Sequence, residues 1–451
     1  MNIRGRHLLL FAFVLAACCA AFAGGPLMLS SSGAPLVWRT FPVSYRVDSG
    51  PMSIDKSGKV KITHAQGVAR VNSMFANWSN VPTAAISYAN AGPLLGVAGG
   101  DAKTVGDLNT LFSSCSHRQQ NPVVFDANGS ILTGLFGARS GVIGFSSLCA
   151  VDPSAGTILS AMLLMGGEWQ DLDPSNGELS NSQFDEAITH EIGHLSGLGH
   201  SQINFDVLFQ PQDHCSPTDV AGLPLMFPFA HCQTRPSPLS PDDMAWISFL
   251  YPVATTGGGK TAFSSVYGIV TGTIFFSDGK TPVQGANVIA RQVGNPRAVA
   301  VSSVSGYQFT GNLGQSITSN YLQCAPASQC PPRGFLDDNT GGDVFGGRAP
   351  GMLGSYQMPV PGGNQYTIEA ESVFGAFTAG SSVGPLDPPI PIPGSAATSS
   401  PFSVTAGTTG PAVDLTLSNT PQILDGFEGS LLLIPDDLRA IHGSVNQERG
   451  L

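Results

Sequence analysis

His190-Glu191-Ile192-Gly193-His194-Leu195-Ser196-Gly197-Leu198-Gly199-His200 reads HExxHxxGxxH. On a helix each residue turns about 100°, so His190 and His194 project from one face, one turn apart. That spacing lets two imidazoles grip one tetrahedral zinc. Glu191 sits beside them as a proton acceptor rather than a ligand. Gly197 permits a left-handed turn that a Cβ resists, so the helix stops there and His200 swings back as third ligand. Three protein ligands leave the fourth position for solvent, the arrangement of a catalytic rather than a structural zinc site. At this chain's own residue frequencies, five fixed residues at these spacings arise by accident on the order of 10⁻⁵ per chain.

Other stretches agree with this one. HEIGHLSGLGHS, with Ser201 after the third His, resembles the metzincin metallopeptidases and, in wording, their matrixin branch. Leu225-Met226-Phe227-Pro228 is similar to that family's Met-turn, where a Met underlies the zinc histidines. Leu239-Ser240-Pro241-Asp242-Asp243-Met244, running to Leu250-Tyr251-Pro252, resembles its closing helix. The resemblance covers roughly 24–252. It implies an α+β catalytic domain with a twisted mixed sheet and three helices. It also implies one zinc held by His190, His194 and His200, Met226 beneath them, and hydrolysis of protein or peptide substrates with Glu191 as general base. The His/Asp pattern with which matrixins hold a structural zinc and calciums is missing. Asp126-Ala127-Asn128-Gly129 reads first as a turn and also as a fragment of a calcium loop, without the Glu twelve positions along. Calcium stays open on that reading.

The chain has 451 residues, enough for two or three domains. Only 11% are charged, Gly (55) and Pro (34) abound, and 42% are hydrophobic, which suggests a loop-rich, largely β protein rather than a disordered one. A formal charge of −11 with no basic cluster argues against nucleic acid as a partner. Residues 1–23 read as a signal peptide: Arg4 and Arg6, an apolar run from Leu8 to Leu15, and Ala21-Phe22-Ala23 at the cleavage site. The run is too short to span a bilayer, and no later segment looks membrane-spanning. Leu15-Ala16-Ala17-Cys18 resembles a lipoprotein box, which leaves two fates open: secretion, or a lipid anchor at Cys18 on a bacterial surface. Apart from Cys18 and Cys19, six cysteines remain, an even number that suits disulfides in an exported chain. Nearest-neighbour pairing gives 115–149, 215–232 and 324–330, one of 15 connectivities.

Before the motif, Pro42–Val47 and Ala85–Tyr88 read as strands around a helix from His64 to about Trp78 capped by Thr63. Thr157–Met165 reads as a buried strand and, by the resemblance, as the neighbourhood of a peptide-binding edge. Ser182 with Asp185 approximates a capping box for the motif helix. His214 and His231 read as loop residues. Thr255–Lys260, within 253–262, is a flexible linker by composition. Beyond it, 263–420 alternates short strands with Gly/Pro turns. Tyr267–Val270, Asp278–Val288, Gly306–Phe309, Gly354–Tyr356 and Tyr366–Ile368 resemble a carboxypeptidase-regulatory-like (transthyretin-like) sandwich with an insertion at about 311–353; Asp337, Asp338 and Asp343 read as solvated acids and 421–451 as a tail. The leading expectation is an exported zinc endopeptidase. The competing one is a surface adhesion protein that acts through the sandwich and carries an inert zinc domain.

Overall fold

Alternation along the strands sets the layers of the first half. In β1 (Val43–Val47), Val43, Tyr45 and Val47 turn inward. A short hairpin of β2 (Ser53–Ile54) and β3 (Val60–Ile62) leads into α1 (His64–Ser79), whose Thr63 and Gln66 form a reciprocal capping box. Then come β4 (Tyr88–Pro93), α2 (Val105–Ser116), β5 (Pro122–Asp126), α3 (Ser130–Phe136), β6 (Gly144–Asp152), β7 (Thr157–Gly166) and α4 (Asn181–Leu195). The strands lie in the order β4-β1-β5-β7-β6, the first four parallel and β6 antiparallel at the edge. Odd residues of the central strands (Val123, Phe125, Leu163, Met165) pack with Phe75 of α1 and Ile188 of α4. The even ones (Val124, Met162, Leu164) pack with Leu108 and Leu111 of α2 and Ile131 of α3. Helices therefore cover both faces, as a mostly parallel sheet requires. The structure is a computed structural model and describes residues 24–30, 32–137, 141–173, 177–204, 222–227, 239–280, 282–283, 286–308, 350–352, 354–372 and 397–418.

The second half is all β. α5 (Pro241–Leu250) closes the first half and the chain continues into β8 (Tyr267–Phe275), β9 (Ala286–Gln292), β10 (Ala300–Val304), β11 (Ser355–Pro361), β12 (Asn364–Ser372), β13 (Ala397–Thr398), β14 (Phe402–Val404), β15 (Thr409–Ala412) and β16 (Leu415–Thr416). One sheet runs β10-β9-β12-β13, with β14 also on β12; the other runs β11-β8-β15, with β16 also on β8. Val270 and Ile274 of β8 meet Val288 and Ala290 of β9 and Ile368 of β12 in the shared core. Sheets of both kinds with five α-helices among the described residues are compatible with the α+β class.

Several expectations change in detail. Among the described residues five α-helices stand where three were expected; α2 and α3 supply the second helical layer. β4 begins at Tyr88, because Ala84 and Ala85 pair instead with Pro252 and Tyr251. The capping box of α4 is Ser180 with Gln183, since Asp185 is taken by an ion pair with Arg70. β7 lies inside the sheet, hydrogen-bonded to β5 and β6, so the free edge belongs to β6. Cys149 is the extra residue of a bulge in β6, between Leu148 and Ala150, and its disulfide reaches Cys115 in α2. Residues 305–308 form a turn, and the strand precedes them as β10. The glycine-rich linker is not free: Thr261 N–H donates to Pro82 O (2.8 Å), and Lys260 Nζ donates to Ser79 O (2.6 Å) at the end of α1 and to Val81 O (2.8 Å) just beyond it.

Residues 1–23 with Cys18, the cysteine pairs 215–232 and 324–330, His214, His231, Pro228, Asp337, Asp338, Asp343, Phe309 and 421–451 lie outside the described residues. Among the described residues no helix is long and apolar enough to cross a membrane.

Candidate metal centre

α4 is fastened to α1 before it reaches the motif. The Arg70 guanidinium of α1 pairs with Asp185, donates to Asn181 O (2.7 Å) and lies 5.1 Å from the Phe184 ring centroid. Trp78 Nε1 donates to Thr189 O (2.8 Å), one residue ahead of His190. The helix ends where the sequence says it should: Gly197 takes φ +87°, with its N–H on His194 O and the next N–H on Gly193 O. A Cβ there would lie 3.1 Å from both Leu36 O and Ile158 Cδ1, so glycine is required for space as well as for φ. Residues 25–27 then run beside the turn; Leu27 N–H donates to Gly197 O and Gly199 N–H to Gly25 O. That escort delivers His200 back toward the helix.

The three imidazoles converge. Their Nε2 atoms form a triangle with edges of 3.1 Å (190–194), 3.1 Å (194–200) and 3.2 Å (190–200). Nitrogens bound to one tetrahedral zinc at ~2.0–2.1 Å lie about 3.3 Å apart, so the triangle fits that ion closely. The tautomers sharpen the point. His190 Nδ1 faces Leu225 O (2.8 Å) and His194 Nδ1 faces Leu198 O (2.8 Å). A carbonyl only accepts, so each Nδ1 carries the ring proton and each Nε2 presents a bare lone pair. Burial holds the His194 pKa down to about 4. The pKa of His200 is also lowered, first by burial and then by the two neighbouring rings. The neutral rings of His190 and His194 thus aim lone pairs into one small space, where a cation relieves their repulsion. Among the described residues this is the one group of three or more His, Cys, Asp or Glu side chains close enough to hold a metal ion.

Glu191 follows His190 on α4, with Oε2 buried and without a hydrogen-bond partner among the described residues. Burial pushes its carboxyl up to about 8, into the range where it can both take and return a proton near neutrality. The three ligand residues and Glu191 are half-buried rather than sealed in the core.

Beneath it lies Met226. Gly193 makes room for it, since a Cβ there would come 2.2 Å from the Met226 sulfur. The Leu225–Met226 turn is held by Asp243 of α5, whose carboxylate accepts N–H bonds from Leu225 (2.7 Å), Met226 (3.1 Å) and Ser240 (2.7 Å). Asp243 thus fixes the carbonyl that orients His190. Trp38 Nε1 and the Tyr251 hydroxyl donate to Leu195 O (2.9 Å) and Ser196 O (2.6 Å), closing the end of α4. Sequence reading gave these three residues no such role. Asp243 and Tyr251 stood inside a quoted segment, but partners so far along the chain leave no local signal.

Among the described residues the calcium reading finds no ligand cluster. Asp126–Gly129 is the strand-to-helix turn that starts α3, with Gly129 at the N-cap, and Asp126 Oδ2 accepts the Leu132 N–H (2.8 Å) of the first helical turn. No protein-family model matches the chain, and no curated protein sequence matches it either.

Proposed function

We infer that this chain is an exported zinc-dependent endopeptidase of the metzincin class, matrixin-like, with a carboxypeptidase-regulatory-like β-sandwich behind it. The observation that carries the reading is the convergence of the three Nε2 atoms, each within 3.2 Å of the other two. A zinc ion held by His190, His194 and His200 would supply Lewis acidity, polarising a carbonyl and acidifying a water. The chain's own residues do the rest. Glu191 takes the proton from the attacking water and passes it to the departing amine, a role suited to a carboxyl raised toward neutrality. Leu225 O and Leu198 O keep two of the rings in the tautomer that presents Nε2. β6, the antiparallel edge strand, offers unpaired backbone groups to an extended peptide.

The parallel sheet with one antiparallel edge, the motif helix and Met226 under it support the family reading. The Cys115–Cys149 disulfide supports an oxidising compartment, hence export, by secretion or with Cys18 lipidated. The division of the chain is placed at 1–23, 24–252, 253–262, 263–420 and 421–451. Digestion of casein or gelatin by the purified chain tests the reading. Activity should vanish with a chelator and return with zinc. A chain that binds zinc without cleaving either protein would favour the adhesion alternative.

A further inference from the structure

His190 and His194 are placed by a helix, but His200 lies beyond Gly197, outside any helix or strand. Its Nδ1 is buried without a hydrogen-bond partner among the described residues, so no second bond orients the ring as Leu225 O and Leu198 O orient the other two. Its carbonyl accepts from Gly24 N–H (2.5 Å), which holds the backbone but not the ring, and the rest of its placement comes from the chain on either side. The four residues that follow it all dock outward. Ser201 Oγ lies 3.0 Å from Ser302 Oγ of β10. Gln202 O accepts from Asn287 Nδ2 of β9 (3.3 Å). Ile203 is buried with Ile289 of β9 and Ala300 of β10. Asn204 Oδ1 accepts from Arg291 Nη1 of β9 (2.8 Å), and Asn204 Nδ2 donates to Arg297 O (3.0 Å) between the two strands. Arg291 is itself braced by Glu369 (2.5 Å) and Glu371 (3.5 Å) of β12.

The same face grips α5. Ser302 N–H donates to Asp242 Oδ1 (2.8 Å), and Trp246 Nε1 donates to Ser302 O (2.7 Å). α5 in turn holds the Leu225–Met226 turn through Asp243, and Met226 O accepts the Ser201 N–H (2.8 Å). Third ligand, Met226 and closing helix are therefore moored to one pair of strands.

We propose that the β9–β10 face of the sandwich is part of the metal centre: Asn204, through Arg291 and Arg297, and Ser201, through Ser302, are positioning residues for the ligand His200. This deepens the reading of the triad as a cation site and rests on it. Outer partners of metal ligands, when removed, typically cost 10- to 100-fold in metal affinity.

The test uses the full chain and three measurements: zinc affinity by competition with a chelator, the visible absorption of the cobalt(II)-loaded protein, and thermal unfolding in excess chelator. Asn204→Gly removes both side-chain bonds and suits the native φ of +56°. Ser201→Ala cuts the second mooring independently. Each should weaken zinc binding about 10- to 100-fold and change the cobalt band, with unfolding in chelator unmoved. Asn204→Asp, which keeps the acceptor facing Arg291, should recover part of the affinity. Unchanged affinity and an unchanged cobalt band in both single variants would overturn the proposal. So would an affinity loss that merely follows a lower melting temperature in chelator. If the unsubstituted chain bound neither zinc nor cobalt, the triad reading would fall first, and this proposal with it.

Discussion

Two acids on neighbouring helices, Asp243 on α5 and Glu191 on α4, are used in opposite ways. Asp243 on α5 spends its oxygens on three backbone N–H groups, and the turn beneath the histidines stays where it is. Glu191 on α4 is held with one buried oxygen unpartnered among the described residues, and its pKa climbs to about 8. A carboxylate saturated with donors is scaffolding. One denied donors and set next to His190 along the helix is reserved for chemistry. What sets their roles apart is how far each carboxylate is satisfied.

The largest expected effect separates the two roles directly. Glu191→Gln should lower peptide-bond turnover by about 10²- to 10⁴-fold while zinc content, read by metal analysis, stays at one per chain; undiminished turnover would break the contrast. Next, Asp243→Ala strands three backbone donors, each worth about 1–3 kcal/mol. Denaturant unfolding should show a loss of roughly 3 kcal/mol or more, and zinc binding should weaken with it. A stability unchanged within about 0.5 kcal/mol would mean that Asp243 is not the anchor described.

The third prediction concerns pH and has a definite sign. The folded Glu191 pKa of about 8 lies above its ordinary value of 4.5. Between those values the fold holds a proton that the unfolded chain releases, so this residue's contribution is present below 4.5 and lost as pH rises through 8. In excess chelator, Glu191→Gln should therefore raise stability at pH 8 by on the order of 1–2 kcal/mol, allowing for screening by solvent. The gain should fade toward pH 5. His194 works the other way: with its pKa depressed to about 4, it costs the metal-free fold stability as pH falls from 6.5 through that value. Calorimetry across pH 4–9 checks both arms. The smallest effect belongs to another satisfied acid. Asp126→Ala leaves the buried Leu132 N–H without its acceptor and should cost about 1 kcal/mol, the low end for one stranded donor, without touching turnover.

The legible parts of the molecule were those with short-range grammar. Fixed spacing on a helix put His190, His194 and Glu191 together, and Gly197 announced where the helix would end. Thr63 and Gln66 marked the start of α1. Signals at equal strength misled: Ser180-x-x-Gln183 and Ser182-x-x-Asp185 both suit a helix start, and only Arg70, 115 residues away, decides between them. α2 carried its own box, Thr104 with Asp107, and apolar residues at 108, 111 and 115, so that helix was readable and went unread. The seam between the halves was not readable at all. Ser201, Ser302, Asn204 and Asn287 are small polar residues with no periodicity, and their meaning arises only when the two halves meet.

The bulge at Cys149 has a consequence for the outermost strand. An edge strand is ordinarily the first to fray, since half of its backbone bonds face nothing. Here its midpoint is riveted through the sheet to the helical layer behind. Amides of Leu148–Val151 should accordingly exchange with deuterated solvent slowly in the oxidised protein and quickly after reduction. A polypeptide lying down along β6 would meet a stiff rail, and the ordering cost of that encounter would fall almost entirely on the newcomer.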